Sequence, residues 1–324
     1  MPHDPVLTIV VPVFQAAGYL ENLTAELLAI EGVPVEVIFV DDCSSDDSAA
    51  IIRKLAAKHP EVSGIFHATN LGAGIARNEG FARARGRFTL FFDVDDKIHT
   101  SILPITLAEM ETSSANLAMF PYRYERSKDA SFDGMNSFDQ DIWERYIGNR
   151  EMVAGNLETF PKLLGFTNYP WNKIIRTAHF KKHGLKYGAT KVNNDILGHW
   201  YSLLFSDRLI LVNHILCTHV VHPTGANLTN QHSEVRLDLF EALNETYDLL
   251  KKNPILRQRY AHHFWDLAIR TASWARPRMA AEILEMFNYR LQELVTRIDL
   301  GDFGRMKTRR TPGLAQQLTK ILIT

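Results

Sequence analysis

Asp93, Asp95 and Asp96 fall within four residues, directly after the apolar run Phe88-Thr89-Leu90-Phe91-Phe92. Carboxylates packed this closely repel one another and raise their own pKa values unless a positive charge neutralises them. A hard divalent cation with oxygen ligands does so, and it can also hold a diphosphate. The plain alternative is a solvated acidic turn, and the cluster alone does not choose between them. Three other blocks bear on the choice. Val11-Pro12-Val13-Phe14-Gln15 closes an apolar run in which proline is expected to stop the strand ladder and open a loop. Val40-Asp41-Asp42-Cys43-Ser44-Ser45 closes a second run, and a carboxylate at a strand end can accept hydrogen bonds from a base or ribose. Asn70-Leu71-Gly72-Ala73-Gly74-Ile75-Ala76-Arg77-Asn78 carries two glycines that permit close backbone approach at a helix start. Arg77 lies one turn into that helix, able to meet phosphate charge or to pair with Asp93. Each block is weak alone; their order and spacing are specific.

Something must carry these blocks to one place, and the first 125 residues supply it. Leu7–Val11, Val35–Val40, a stretch near Ile65-Phe66, and Phe88–Phe92 read as strands. Between them, apolar residues at helical spacing predict helices over Tyr19–Ile30, from about Ser44 to His59, and over Gly74–Ala84. Ser44 and Ser45 are expected to cap the second of these. Strands apolar on both faces, alternating with helices, mean a mostly parallel sheet covered by helices. The expected fold class is therefore α/β, with the acidic cluster at the carboxyl end of a strand, where open sheets bind ligands. Ile102–Glu111 reads as a further helix and Asn116–Tyr122 as a further strand. Residues 125–140 read as a polar surface loop, and residues 141–225 show no clear alternation. From Glu234 to Asp299 the pattern is helical, with Leu237, Phe240, Leu243, Tyr247 and Leu250 on one stripe.

Composition narrows the class. In 324 residues, 23% are charged and 46% hydrophobic, with a formal net charge of −1, which gives no reason to expect nucleic-acid binding. Two cysteines are too few for a disulfide framework and point to a reducing compartment. The first residues lack the basic start of a signal peptide, and no apolar run is long enough to span a bilayer. A cytoplasmic protein is expected, with attachment at the inner face of the membrane left open by its last segment. There Arg305, Lys307, Arg309, Arg310 and Lys320 face Asp302 alone, beside an apolar stripe of Leu314, Leu318, Ile321, Leu322 and Ile323. Such a basic amphipathic tail, 301–324, can lie on an anionic membrane or dock on its own domain.

With these blocks in view, the chain resembles the family 2 glycosyltransferases, inverting enzymes of the GT-A fold that use nucleotide-diphosphate sugars. Leu7-Thr8-Ile9-Val10-Val11-Pro12-Val13-Phe14 is similar to their opening strand. Phe39-Val40-Asp41-Asp42-Cys43-Ser44-Ser45-Asp46 resembles their Val-Asp-Asp-Gly-Ser-x-Asp block, with Cys43 in place of glycine. Asn70-Leu71-Gly72 through Ala76-Arg77-Asn78-Glu79-Gly80 and Phe92-Asp93-Val94-Asp95-Asp96 resemble their Gly-rich helix start and acidic motif. The resemblance is strong over residues 6–100 and traceable to about 230. It implies a GT-A catalytic domain over 1–230, with a nucleotide-sugar half (1–100) and an acceptor half (101–230), followed by a helical region over 231–324.

By that resemblance, Pro12, Phe14 and Asp42 would hold the nucleoside, with Asp42 on the base, Arg77 would also meet the nucleotide sugar, and Asp95 would contact its ribose or the metal shell. Asp96 would be a direct Mn²⁺ or Mg²⁺ ligand, with Asp93 as a second ligand or a loop-holding acceptor. Inversion needs a carboxylate near the acceptor hydroxyl to take its proton. The family supplies it from a Glu-Asp pair opening a helix, and here Asn194-Asp195 stands at that place, so Asp195 is the expected base and Asn194 a departure. A cap at the same helix start is the structural alternative for Asp195. Tyr169-Pro170-Trp171-Asn172-Lys173 resembles the family's Trp-Asn-Lys block. His222, in His219-Val220-Val221-His222-Pro223, is preferred to His219 as a metal or diphosphate contact, because His219 sits in an apolar run. Trp171, Trp200 and Tyr169 could stack on an acceptor sugar or belong to the core. His262-His263 is expected at the surface. The expected donor is a nucleotide-diphosphate sugar, UDP-sugar favoured, and the acceptor a saccharide or lipid-linked hydroxyl in surface polysaccharide or glycolipid synthesis; a homo-oligomer is left open. A nucleotidyltransferase would want a lysine in its first loop, and residues 12–18 have none. A non-catalytic nucleotide-sugar binder is the other alternative, kept open by Cys43 and Asn194.

Overall fold

The computed structural model describes residues 4–126, 134–221 and 234–323. Its first part alternates as expected: β1 (Leu7–Val13), α1 (Ala17–Leu28), β2 (Val35–Asp41), α2 (Ser48–Lys58), β3 (Val62–Phe66), α3 (Ala73–Arg83) and β4 (Phe88–Phe91). Then follow β5 (Lys97–Ile98), α4 (Leu103–Thr112), β6 (Leu117–Met119), β7 (Tyr122–Arg126), α5 (Ser137–Tyr146), β8 (Met152–Gly155), β9 (Lys173–Arg176), α6 (Thr177–His183), α7 (Asp195–Leu204), β10 (Leu209–Val212) and β11 (Cys217–Val221). The helical region holds α8 (Asp238–Lys252), α9 (Pro254–Ala275), α10 (Leu284–Thr296), α11 (Leu300–Arg305) and α12 (Pro312–Ile323).

Among the described residues the large sheet has eight strands in the order β3-β2-β1-β4-β9-β6-β10-β8. β3, β2, β1 and β4 run parallel, while β9 and β8 are antiparallel to their neighbours. The chain steps outward from β1 to β3 and returns to β4 on the other side, so the sheet's switch point lies between β1 and β4. A crevice at the carboxyl ends of such a pair is the usual ligand site in open α/β sheets. Gly80 lets α3 lie directly on this sheet, because an added Cβ would stand 2.3 Å from a Val10 methyl.

Pro12 does not end the ladder. β1 runs on to Val13, pairing Pro12 with Val40 and Val13 with Asp41. Val10 accepts from Phe92 N–H, so the same edge of Pro12 faces the β4 side, beyond the last residue of that strand, and its missing N–H costs no ladder bond. The expected cap is also displaced. α2 starts at Ser48, and Ser44 and Ser45 instead accept from Gln15 N and Nε2. Asp46 receives the N–H of Ala17 at the start of α1 and that of Ser48. These bonds knit the loop after β1 to the loop after β2.

A smaller sheet, β5-β11-β7, follows the acidic motif. The described part of the unpatterned stretch, 141–221, owes its lack of alternation to short strands of mixed direction and 3-10 turns. The helical region is continuous with the core rather than beside it: α8 packs on α7 and Phe264 of α9 on Trp200 of α7. No helix among the described residues is long and apolar enough to cross a membrane.

Candidate active site

The Asp pair at the end of β2 divides its work. Asp42 is buried and fully engaged: its two oxygens accept the N–H groups of Leu71 and Gly72, each at 2.7 Å, and His67 Nδ1 at 2.7 Å. It anchors the loop ahead of α3. Asp41 is buried as well, but only its Oδ2 has a partner, the Ser44 N–H at 3.3 Å; Oδ1 is enclosed with none. A buried carboxylate oxygen without a donor is costly unless a ligand supplies one. The structure thus puts the open acceptor on Asp41, where the motif pointed to Asp42. Cys43, at the family's glycine position, holds φ +62°, the left-handed conformation that glycine takes freely. Phe14 stands at the end of β1 with 51% of its surface exposed.

Across the switch point, β5 pairs antiparallel with β11, Ile98 opposite Cys217 and Lys97 opposite Thr218. This register carries His219 to the residue just before β5. Its Nδ1 lies 2.8 Å from Asp96 Oδ1, which also accepts Val220 N–H at 3.0 Å. Asp96 Oδ2 is buried with no partner. Burial pushes the Asp96 carboxyl up to about 6 despite the His219 bond. Burial opposes charge on His219 too, but the bond to Asp96 and the nearby Asp93 and Asp95 outweigh it and raise its pKa. Sequence reasoning passed over His219 because its neighbours are apolar; only the strand register reveals it. His222 lies outside the described residues.

α3 ties this acidic side to the other half of the molecule. Arg77 is buried, donates through Nη2 to Asp93 Oδ1 at 2.6 Å and through Nη1 to Asn194 Oδ1 at 2.8 Å. Asn78 exchanges two bonds with the backbone of Tyr187, at 3.0 and 2.7 Å. Gly74 must be glycine, since a Cβ there would sit 1.9 Å from the Gly188 carbonyl. The Ala-Arg-Asn stretch therefore grips residues 187–194, which deliver Asp195 as the first residue of α7. From the far side, Asp238 of α8 accepts Lys191 N–H at 2.9 Å. Arg77 is thus committed to protein carboxylate and amide, not turned toward a phosphate.

Asp195 sits among charges of both signs. Burial raises its pKa, and Arg77 and then Lys173 pull it back down. Lys173 is itself buried at the start of β9, with Nζ donating to Tyr169 O and Asn172 Oδ1, both at 2.6 Å. Burial lowers it to about 7. Its signal was the Trp-Asn-Lys block, which sequence reasoning used only to fix register.

Both indoles are buried. Trp200 is fully buried, edge-on to Phe264 inside the core. Trp171 is buried too, stacked on Tyr169 with centroids 4.2 Å apart and on His219 at 6.0 Å. Both are core aromatics; Trp171 backs the imidazole that holds Asp96.

The donor chemistry around Asp96 suits an oxygen-loving cation that shares its ligands with a diphosphate. Among the described residues no three His, Cys, Asp or Glu side chains converge as a self-sufficient metal cage. What the chain offers is the unpartnered Asp96 Oδ2, with Asp95 in the same loop and the Arg77-bound Asp93 two residues before that.

Comparison with known proteins agrees with this architecture. The family model described as "Glycosyl transferase family 2" matches residues 8–182. The succinoglycan biosynthesis protein ExoO of Rhizobium meliloti (strain 1021) is 36% identical over 115 residues, 36% of this chain and 32% of that protein. The uncharacterized glycosyltransferase YibD of Escherichia coli (strain K12) is 23% identical over 314 residues, 90% of this chain and 87% of that one. The match to the first of these relatives thus spans about a third of its length. The crystal structure of S. aureus TarS 1–349 in complex with UDP-GlcNAc superposes with a TM-score of 0.74 at 19% identity, covering 98% of this chain and 88% of that one. That likeness is one of fold, and it is the α/β, GT-A type fold expected from the sequence.

Proposed function

The chain belongs to glycosyl transferase family 2, and on that premise we propose that it moves a sugar from a nucleoside-diphosphate donor to a hydroxyl of a saccharide or lipid-linked acceptor, with inversion. The observation that carries this reading is the Arg77 bridge: one guanidinium spans from Asp93 of the acidic motif to Asn194, next to Asp195. Donor-side acid and acceptor-side base are thereby held within reach of one bond-exchange centre.

Each side chain has a task in this reading. Phe14 stacks on the base beside Pro12, and Asp41 Oδ1 accepts a base N–H; Asp42 supports that loop from beneath. Uracil and guanine present such an N–H, whereas cytosine presents an acceptor at the matching ring atom. The UDP-GlcNAc in the TarS complex favours uracil. Asp95 meets the ribose. Asp96 and Asp93, and His219 through Asp96, would hold a divalent cation, Mn²⁺ or Mg²⁺, which when bound neutralises charge on the diphosphate. Asp195 takes the proton of the acceptor hydroxyl as its oxygen forms the new bond to the anomeric carbon. The bond from that carbon to the diphosphate breaks on the opposite face, and the nucleoside diphosphate leaves with the electron pair. Burial raises the Asp195 pKa and so makes it a stronger base than a free carboxylate, while Arg77 and Lys173 offset part of that rise.

Both departures from the family pattern are accommodated. Asn194 still accepts from Arg77, and Cys43 still takes the glycine-like conformation. The test is release of UDP from a panel of UDP-sugars with divalent cation, in wild type and Asp195→Asn. The expected result is turnover in wild type and a loss of at least a hundredfold or so in the variant, with UDP binding retained. Binding of UDP without turnover in either protein would replace the enzyme with a nucleotide-sugar binder.

A further inference from the structure

The segment 300–323 has its one acid turned inward and, Arg305 apart, its bases exposed. Asp302 is 2% exposed and is held by Arg257 at 3.1 Å and by Arg305. After it, Met306–Arg310 forms a wide π turn, a rare geometry often kept at functional positions. Lys307, Arg309 and Arg310 are all exposed on that turn. Lys307 and Arg309 have no partner among the described residues, and Arg310 reaches only the Arg259 carbonyl and His262 Nδ1. The charge field is strong enough to be felt next door: after burial, Arg310 is the main cause holding His262 far below its ordinary value.

α12 (Pro312–Ile323) follows this turn directly. Leu314, Ala315 and Leu318 are buried, and Gln292 of α10 donates to Ile321 O at 3.2 Å, so the helix is docked rather than loose. Docking consumes only one stripe. Lys320 is exposed, and so are Leu322 at 42% and Ile323 at 77%. Exposed aliphatic side chains one turn or less from an exposed lysine gain nothing from water or from a soluble polyanion. They do gain from the boundary between lipid headgroups and acyl chains.

We infer that the face made by the Met306–Arg310 turn and the outer side of α12 binds the anionic surface of a phospholipid bilayer. Lys307, Arg309, Arg310 and Lys320 meet the headgroup phosphates, and Leu322 and Ile323 enter the acyl boundary. This does not depend on the transferase reading, and its test needs no turnover.

The test is co-sedimentation with vesicles of phosphatidylcholine alone and of phosphatidylcholine mixed equally with phosphatidylglycerol. The wild type should pellet with the mixed vesicles at low salt, stay in solution with phosphatidylcholine, and be released at high salt. The double variant Lys307→Glu/Arg309→Glu should bind at least about tenfold more weakly. Ile323→Asn should also weaken binding severalfold, at an unchanged melting temperature in both variants. Equal pelleting with both vesicle types, none with either, or wild-type binding by the double variant would overturn the inference. So would binding to soluble polyphosphate that Ile323→Asn shares in full while vesicles are ignored, which would mark the face as a polyanion site.

Discussion

Arg77 Nη1 donates to Asn194 Oδ1 at 2.8 Å across 117 residues of chain, joining the helix that follows the glycine loop to the residue before Asp195. The same guanidinium holds Asp93. A planar fork with fixed donors can serve two acceptors at once, and an ammonium cannot hold both in that geometry.

Arg77→Lys should therefore keep the fold but lose the register between acidic motif and base. The expected effect is a fall in kcat of about tenfold or more, with a smaller change in donor KM, since misplacement is felt most in the transition state. Arg77→Met removes the charge as well, leaving Asp93 and Asn194 without their donor, and should destabilise the chain by about 3–5 kcal/mol. Asn194→Glu restores the family's carboxylate beside Asp195. A like charge disfavours ionisation, so the Asp195 pKa rises and the acidic limb of the kcat/KM profile should move to higher pH. A pH–rate profile identical to wild type would show that position 194 does not reach the base.

The Asp41-Asp42 pair should give opposite results in binding and stability assays. Asp42→Asn leaves one of three donors, Leu71 N–H, Gly72 N–H or His67 Nδ1, without an acceptor. That should cost about 1–3 kcal/mol of stability, with UDP affinity nearly kept. Asp41→Ala removes the unpartnered oxygen, so it should leave stability close to wild type and weaken UDP binding about tenfold to a hundredfold. Calorimetric titration with UDP and thermal melts on both variants separate the two roles. Loss of UDP affinity in Asp42→Asn alone would return the base contact to Asp42.

The parallel half was legible because both of its signals are local. A buried parallel strand is apolar nearly throughout, as Leu7–Val13 and Phe88–Phe91 are apart from Thr8 and Thr89, and its motif sits at its own carboxyl end. The family resemblance put Asp195 at a helix start, and α7 begins there. What could not be seen were relations set by pairing. His219 depends on the β5–β11 register, and nothing in the run Cys217–Val221 marks which residue will face Asp96. The division between Asp41 and Asp42 depends on which carboxylate the Leu71-Gly72 backbone selects. For Trp171 and Trp200 the sequence left stacking and core packing open, because an aromatic beside a motif looks the same whether it lines a site or backs it, and both are buried.

His262 and His263, expected at the surface, are half-buried in α9 with ring centroids 4.1 Å apart and Arg310 Nη1 3.2 Å from His262 Nδ1. Burial first, then Arg310, pushes His262 down to about 4; burial first, then His262 and Arg310, pushes His263 down to about 3. Both folded values lie below the ordinary 6.5, so the folded chain holds these protons more weakly than the unfolded chain. Their contribution to stability is complete above about 6.5 and is lost as pH falls from there toward 4 and 3. Ordinary carboxylates stay ionised down to about pH 5, but in the interval above that Asp96, at about 6, and Lys173, at about 7, also titrate, so the share of the two histidines is read as the difference between wild type and variant. The melting temperature of the wild type should fall across it, and that of His262→Gln/His263→Gln should be flatter over the same interval. Parallel slopes in the two proteins would mean that other groups carry the acid sensitivity.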